Sequence, residues 1–393
     1  MSAILYIEMN ETIGINPFLC TCMESMNGGS NLITISLCMI VKNEEHTLAR
    51  CLDSIANIPD EIIIIDTGST DNTKKIAATY TNHIFDFQWC NDFSQARNYS
   101  FQQATQEYIL WLDADDILQP EERNKLLQLK QTLQPSVDAV SMLYHVAFDE
   151  HQNVTASTRR IRLVKRKKSF QWIGIVHEDL MLHTTYSHQA SPIIVTHASE
   201  KKMHSRRNLD IYEKALQHNQ TFRTHDVFHY AQELTAHGEY EKAIPFYETC
   251  KTKKEMSLEN RVFVYHQLAT CYAMMNEIDK EEEITLQSFQ LDVPQPVFCC
   301  RMGESFIRKE QYEQAIFWYT VALEMKLLPR YEWSLQQDIY RTWLPHKQLA
   351  FCYYQLGEYE KSYHHNQNVL TYLPDDTATQ TNVAFLKAVQ QKE

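Results

Sequence analysis

The sequence predicts two parts of different architecture: an α/β domain on a mostly parallel sheet, then an all-α solenoid of helical repeats. Three observations carry that expectation. From Thr34 to about His197, short apolar runs alternate with helical patterns, and strands apolar on both faces and joined by helices belong to a sheet covered on both sides. After Arg207 the pattern is helical alone. Within it four stretches are versions of one unit, with Tyr240, Ile278, Tyr312 and Tyr359 at equivalent positions.

The elements follow in order. "TISLCMIVK" (34–42) reads as a strand and "EEHTLARCLDSIA" (44–56) as a helix, with Asn43 placed to cap it. "EIIIID" (61–66) is a second apolar strand, and "STDNTKKIAATY" (69–80) opens with capping residues and becomes a helix. "HIFDF" (83–87), "DFSQARNYSFQQA" (92–104) and "YILWLDAD" (108–115) repeat the cycle. In the second part, Ala243 and Ala315 sit three residues past their tyrosines, where two helices would cross closely. The longer final spacing implies an inserted segment around 327–340. The expected boundaries are a weakly structured extension at 1–31, the α/β domain at 32–205 and the repeats at 206–393.

Composition narrows the function. The chain has 393 residues and a net charge of −13, which argues against a general binder of nucleic acid or membrane surface. Its ten cysteines contain no C-x-x-C pair. Several, such as Cys38, Cys271 and Cys352, fall in apolar patterns where a free thiol acts as a small hydrophobe. A reducing, cytoplasmic setting is expected. No apolar run approaches the roughly 18 residues that span a bilayer. The first 20 residues carry Glu8 and Glu11 without a basic start, unlike a signal peptide.

Chemistry concentrates at strand ends. The run Ile109–Leu112 stops on Asp113, Asp115 and Asp116. Carboxylates crowded there repel one another unless a positive charge joins them. Hard oxygen ligands suit Mg²⁺ or Mn²⁺, which commonly bridges to a phosphate; capping of the following helix is the structural alternative. Asp66 also ends a strand, where α/β sheets place their sites. "RRIRLVKRKK" (159–168) holds seven basic groups and no acid, which fits diphosphate neutralisation, an anionic partner, or a strand with one solvated face.

"CMIVKNEE", "EIIIIDTGSTDNT", "DFSQARN" and "LWLDADD" occur in the order and spacing of family 2 glycosyltransferases with the GT-A fold, which the chain resembles over about residues 34–200. The resemblance implies that Val41, Asn43 and Glu44 line the nucleotide pocket and that Asp66 receives the uracil edge of a UDP-sugar. Arg97 and Asn98 would lie near the diphosphate or sugar, with Arg160 beside them. Asp113 would reach the ribose or metal, and Asp115 would ligate the metal with His197 as a further ligand. Read without the resemblance, Asp66 could cap the next turn and Arg97 could pair with Asp92 or Glu107. The element "GIVHED" (174–179) matches an acceptor-side motif of the same branch and makes Glu178 the catalytic base, with His177 as second choice.

The joining of this transferase type to tetratricopeptide-like repeats, with "NDFSQARN", "DAD", "TRR" and "VHE", is similar to the peptide S-glycosyltransferases of sublancin-type bacteriocins. It implies an inverting, metal-dependent transfer to a Cys or Ser of a peptide or protein acceptor held by the repeats; a homodimer is compatible with this. Lipopolysaccharide-core glucosyltransferases share most of the motifs and are the alternative. A phosphohydrolase of the haloacid dehalogenase type would carry Asp-x-Asp after its first strand, not its fourth. A non-catalytic scaffold would not retain every expected polar residue. On this reading residues 1–210 alone would keep donor hydrolysis and lose acceptor transfer.

Overall fold

In the computed structural model of the protein the described residues are 32–199 and 205–391; the expected extension at 1–31 lies outside them. The α/β part runs β1 (Ile35–Val41), α1 (Leu48–Ser54), β2 (Glu61–Asp66), α2 (Thr73–Ala77), β3 (Ile84–Asp86), α3 (Phe93–Gln103), β4 (Tyr108–Trp111), β5 (Asp116–Ile117) and α4 (Pro120–Thr132). It continues through β6 (Ala139–Phe148), β7 (Val154–Lys165), β8 (Gln171–Ile173), β9 (Asp179–Met181) and β10 (His188–His197). The main sheet has the order β3-β2-β1-β4-β7-β6-β10-β5. Its first four strands are parallel, β6 and β10 are parallel, and β7 and β5 run antiparallel to their neighbours.

Both faces of the parallel strands are buried, as their continuous apolar composition requires. Leu37 and Met39 pack with Leu48, Leu52 and Leu126 on one side. Cys38, Ile63, Ile65 and Ile109 pack with Phe101 and Trp172 on the other. Register places Val41 beside Asp66 and Cys38 beside Trp111. The ends of β1, β2 and β4 therefore open on one side of the sheet.

The helical part begins with α5 (Arg207–Gln217) and continues as hairpins: α6 (Thr224–Ala236) with α7 (Tyr240–Lys251), α8 (Leu258–Met274) with α9 (Ile278–Ser288), and α10 (Pro296–Arg308) with α11 (Tyr312–Glu324). The inserted segment follows, a short 3-10 turn at Pro329–Trp333, β11 (Gln336–Gln337) and a second turn at Asp338–Arg341. Then come α12 (Trp343–Gln355), α13 (Tyr359–Tyr372) and α14 (Thr377–Gln390). The four equivalent positions each begin the second helix of a hairpin. Two residues earlier, Gly238, Asn276, Glu310 and Gly357 all have positive φ, the left-handed conformation that closes a helix end. Ala243 and Ala315 are fully buried. A side chain on Gly303 would meet the Tyr319 ring at 2.5 Å, so the α10–α11 crossing needs glycine there.

The insertion at 327–340 is real and has a specific place. Gln336 and Gln337 pair with Ser157 and Ala156 of β7, and Tyr331 is buried with Val262 of α8 and Phe298 of α10. Several local expectations are corrected. Asn43 does not cap α1: Thr47 stands at that position, while Asn43 accepts the Thr70 N–H at 2.8 Å and has φ 53°. The basic run does not form one solvated face. Arg162 is fully buried and Arg159 nearly so, because β7 is an inner strand and both side chains find carboxylates. Among the tyrosines of the repeats, Tyr230, Tyr247 and Tyr319 are core and Tyr354 is exposed.

Candidate active site

The ends of the strands carry the expected polar groups, but they fall into distinct clusters. At the β1 and β2 ends, Asp66 is 2% exposed. Its Oδ1 accepts the N–H groups of Gly68 (3.0 Å) and Ser69 (2.9 Å), whereas Oδ2 is buried without a hydrogen-bond partner. One oxygen builds the turn and the other is enclosed beside it. Glu44 Oε2 accepts from Thr47 at 2.8 Å, and the Glu44 N–H donates to Thr73 at 2.7 Å. Val41, Asn43, Glu44 and Asp66 thus share one corner.

The turn after β4 is tied by its own acids. Asp116 Oδ2 accepts the Asp113 N–H at 3.0 Å and the Arg162 Nη1 at 2.9 Å. Asp115, Asp116 and His197 form a group whose ligand atoms all lie within 4.8 Å of one another. The His197 Nδ1 is 3.5 Å from Asp115 and 3.0 Å from the Tyr144 hydroxyl. The nearby Asp115 and then Asp116 carboxylates, against the opposing effect of burial, push the imidazole up to about 10. These carboxylates call for a positive charge, which protonated His197 supplies here. Asp116 Oδ1 is buried without a hydrogen-bond partner, so two carboxylates and, once its proton is displaced, the imidazole fit a divalent cation. Asp113 is not in this group; its side chain turns the other way.

It turns to Arg97. Arg97 Nη2 donates to Asp113 Oδ1 at 2.7 Å, and its Nε donates to Glu178 Oε1. The guanidinium stands 4.9 Å from both the Trp111 and Trp172 ring centres. Burial opposes its charge, but the two carboxylates more than reverse that. Burial alone would raise the Asp113 carboxyl; Arg97 and then Arg162 hold it below its ordinary value. Arg97 is therefore neither a partner of Asp92, which caps α3 through Gln95 at 3.2 Å, nor of Glu107. Asn98 is corrected: its amide donates to the Trp172 carbonyl and accepts the Trp172 N–H, each at 2.9 Å. It braces β8 and lines a separate recess.

A cavity of about 570 Å³ opens beside the Arg97 cluster; the Asp66 corner and the Asp115, Asp116 and His197 group do not line it. Arg97, Asp113, Glu178 and Arg160 line one side, and Asn208, Ser257, Asn260 and Trp333 of the helical part line the other. Arg160 is half-buried, with Nη1 3.4 Å from Asp179. His177 also lines the cavity; its Nε2 lies 2.6 Å from Glu233 Oε1 on α6, and its ring stacks on His229 at 5.0 Å.

Sequence reasoning missed four contributors. Asp116 stood third in a visible acidic run, and Arg162 lay in the basic run; what was not visible was that they pair. Glu332 holds Arg159 at 2.6 Å and Glu233 holds His177, and neither carried a local signal.

The family profile "Glycosyl transferase family 2" matches residues 36–185. Residues 36–185 are a family 2 glycosyltransferase domain. The chain is 33% identical over 162 residues to the SPbeta prophage-derived glycosyltransferase SunS of Bacillus subtilis, covering 40% of this chain and 37% of that protein. It is 44% identical over 90 residues to a TPR repeat-containing protein of Synechococcus elongatus, 23% of this chain and 22% of the relative. The chain thus spans well under half the length of these curated relatives. Among solved structures, the TPR protein YrrB aligns at TM-score 0.34 and 14% identity, over 46% of this chain and 84% of that one. Glucosyl-3-phosphoglycerate synthase of Mycobacterium tuberculosis aligns at TM-score 0.25 and 24% identity, over 28% and 44%. Likenesses this loose carry no argument. No helix among the described residues is long and apolar enough to cross a membrane. The glycosyltransferase domain and the tetratricopeptide-like hairpins meet at the cavity.

Proposed function

We propose that this chain is an inverting glycosyltransferase that moves a sugar from a nucleotide-sugar donor, a UDP-sugar by the resemblance, to a Cys or Ser side chain of a peptide or protein. The observation that carries the reading is the Arg97 bridge. It links the acidic strand end, where a donor diphosphate belongs, to the loop that carries Glu178, and it does so in a cavity closed by the repeats.

The nucleoside end of the donor is assigned to the Val41, Asn43, Glu44 and Asp66 corner, where the unpartnered Asp66 Oδ2 accepts a nucleobase N–H. Asp113 and Arg160 face the sugar and phosphates across the cavity. Asp115, Asp116 and His197 would hold Mg²⁺ or Mn²⁺, which supplies charge to neutralise a diphosphate leaving group. Glu178, fixed on Arg97 and facing the cavity, takes the proton of the acceptor hydroxyl or thiol as the new glycosidic bond forms on the opposite face of the sugar. The acceptor enters past Asn208, Ser257, Asn260 and Trp333, so the repeats present it rather than merely tether it.

A panel of UDP- and GDP-sugars scored by thermal stabilisation with Mn²⁺ tests the donor assignment. A shift for at least one nucleotide sugar, lost when Asp66→Asn is combined with the same ligand, supports it. No shift across the panel contradicts it.

A further inference from the structure

The loop that carries Glu178 cannot hold its own shape. Gly174 has φ 98° and His177 has φ 54°. The second is a left-handed backbone on a residue with a full side chain, a conformation that persists only when its surroundings impose it. The surroundings here are chiefly the first helices of the repeats, together with the Phe93 N–H of α3, which donates to the Ile175 carbonyl at 2.9 Å, and the pairing of Asp179 with Ile173. The Ile175 N–H donates to Asp226 Oδ1 at 3.3 Å, and the Tyr212 hydroxyl donates to the Val176 carbonyl at 3.1 Å. His225 Nε2 is 3.4 Å from Asp179. Ile175 and Val176 are buried among Leu209, Tyr212 and Phe228. Between them, Glu233 Oε1 lies 2.6 Å from His177 Nε2 and accepts from Asn208 Nδ2 at 3.1 Å.

We propose that Glu233, on helix α6 of the first hairpin, is a positioning residue of the transferase: through His177 it fixes the left-handed turn that sets Glu178 on Arg97. The repeats are then part of the catalytic apparatus and not an appended acceptor handle. Apart from the Arg97 and Arg160 contacts, the Phe93 N–H and the pairing of Asp179 with Ile173, the holds on residues 174–179 described above come from α5 or α6. A carboxylate at position 233 that merely stabilised the helix would face its own helix or solvent; this one is 8% exposed and reaches across to the loop. The inference rests on the assignment of Glu178 as base.

The test uses the full chain and UDP-glucose with Mn²⁺ as probe. It reads kcat and KM for release of UDP, UDP affinity by calorimetry, and hydrogen exchange of the 174–179 backbone amides. Glu233→Ala is expected to lower kcat by about tenfold or more, since small misplacements of a reacting group are costly. KM and UDP affinity hold, and the loop amides exchange faster. Glu233→Gln keeps an acceptor for His177 and recovers most of the rate. His177→Ala should match Glu233→Ala, and the double variant should be no worse than either, because both remove one contact. Should Glu233→Ala not fold, His177→Ala with Glu233→Gln decides alone. Unchanged kcat and exchange in folded Glu233→Ala overturns the proposal, as does a Gln variant as impaired as Ala. If the wild type neither binds nor cleaves nucleotide sugars, the transferase reading fails, while the exchange measurement still decides whether Glu233 holds the loop.

Discussion

Arg162 and Asp116 form an ion pair at 2.9 Å with both side chains fully buried. The Arg162 guanidinium is also 3.9 Å from the Trp111 ring centre and 4.5 Å from that of Tyr144. Its Nε and Nη2 nevertheless remain buried without partners. Such a pair sets a geometry more than it adds stability, since desolvation offsets much of the attraction. Here the geometry is the turn that carries Asp113 and Asp115.

Breaking the pair from one side leaves an uncompensated buried charge. Arg162→Met should therefore destabilise the fold by about 3–5 kcal/mol. Arg162→Met with Asp116→Leu should restore much of that loss and still fail in catalysis, because the turn is no longer tied and the cation group has lost Asp116. Urea denaturation of the three proteins measures it. Equal stability of the single variant and the wild type would mean the charge is not buried in solution.

Gly174 tests the contact between loop and repeats by size. A Cβ at that position would stand 2.6 Å from the His225 ring, on a backbone with φ 98°. Gly174→Ala should cost about 1–3 kcal/mol and lower turnover, with donor affinity retained. Gly174→Ala with His225→Ala relieves the clash but not the backbone, so only part should return. Thermal denaturation with parallel turnover assays reads both.

His225 also gives the junction a pH dependence. Burial pulls its imidazole down, but Asp179 and Asp226 on either side push it up to about 9. A raised pKa stabilises the folded state fully below the unfolded value of roughly 6.5, and that contribution fades as pH rises through about 9. The contacts are 3.4 and 3.7 Å ion pairs rather than short hydrogen bonds, which limits the effect to about 1 kcal/mol. Denaturant midpoints should fall between pH 7 and 9.5 in the wild type, and less steeply in His225→Gln. Identical slopes would remove His225 from the explanation.

The alternation of apolar strands and helices was legible because both faces of β1, β2 and β4 are buried, and burial leaves a compositional trace. The hairpins were legible because a left-handed residue recurs two positions before each second helix, fixing a repeat. Asp115 and His197 were legible because Asp115 lies in the turn that follows β4 and His197 ends β10. What the sequence concealed is long-range pairing. Asp113 turns from the cation group to Arg97, and Asn98 serves β8, since three-dimensional proximity to Trp172 leaves no spacing signal. The contact of residues 1–210 with the repeats was concealed for the same reason. Ile175 and Val176 share a core with α6 and α8 residues, and the truncation would uncover it.

Glu178 carries the chemistry assigned to the acceptor side. Glu178→Gln keeps an acceptor for Arg97 while removing the base, so turnover should drop by roughly 100-fold or more with nucleotide-sugar affinity unchanged. Steady-state kinetics with direct binding separates the two quantities. An unaltered turnover number would move the proton-accepting role to His177 or Asp179, which also line the cavity.

The most direct measurement of the central claim is metal-dependent release of nucleoside diphosphate from a nucleotide sugar by the full chain. The account predicts release in Mn²⁺ or Mg²⁺, its loss in EDTA, recovery when the cation is restored, and no release by folded Asp115→Ala, whose carboxylate belongs to the Asp115, Asp116 and His197 group. Release that continues undiminished in EDTA and in Asp115→Ala would contradict the metal assignment. No release from any UDP- or GDP-sugar would contradict the transferase itself.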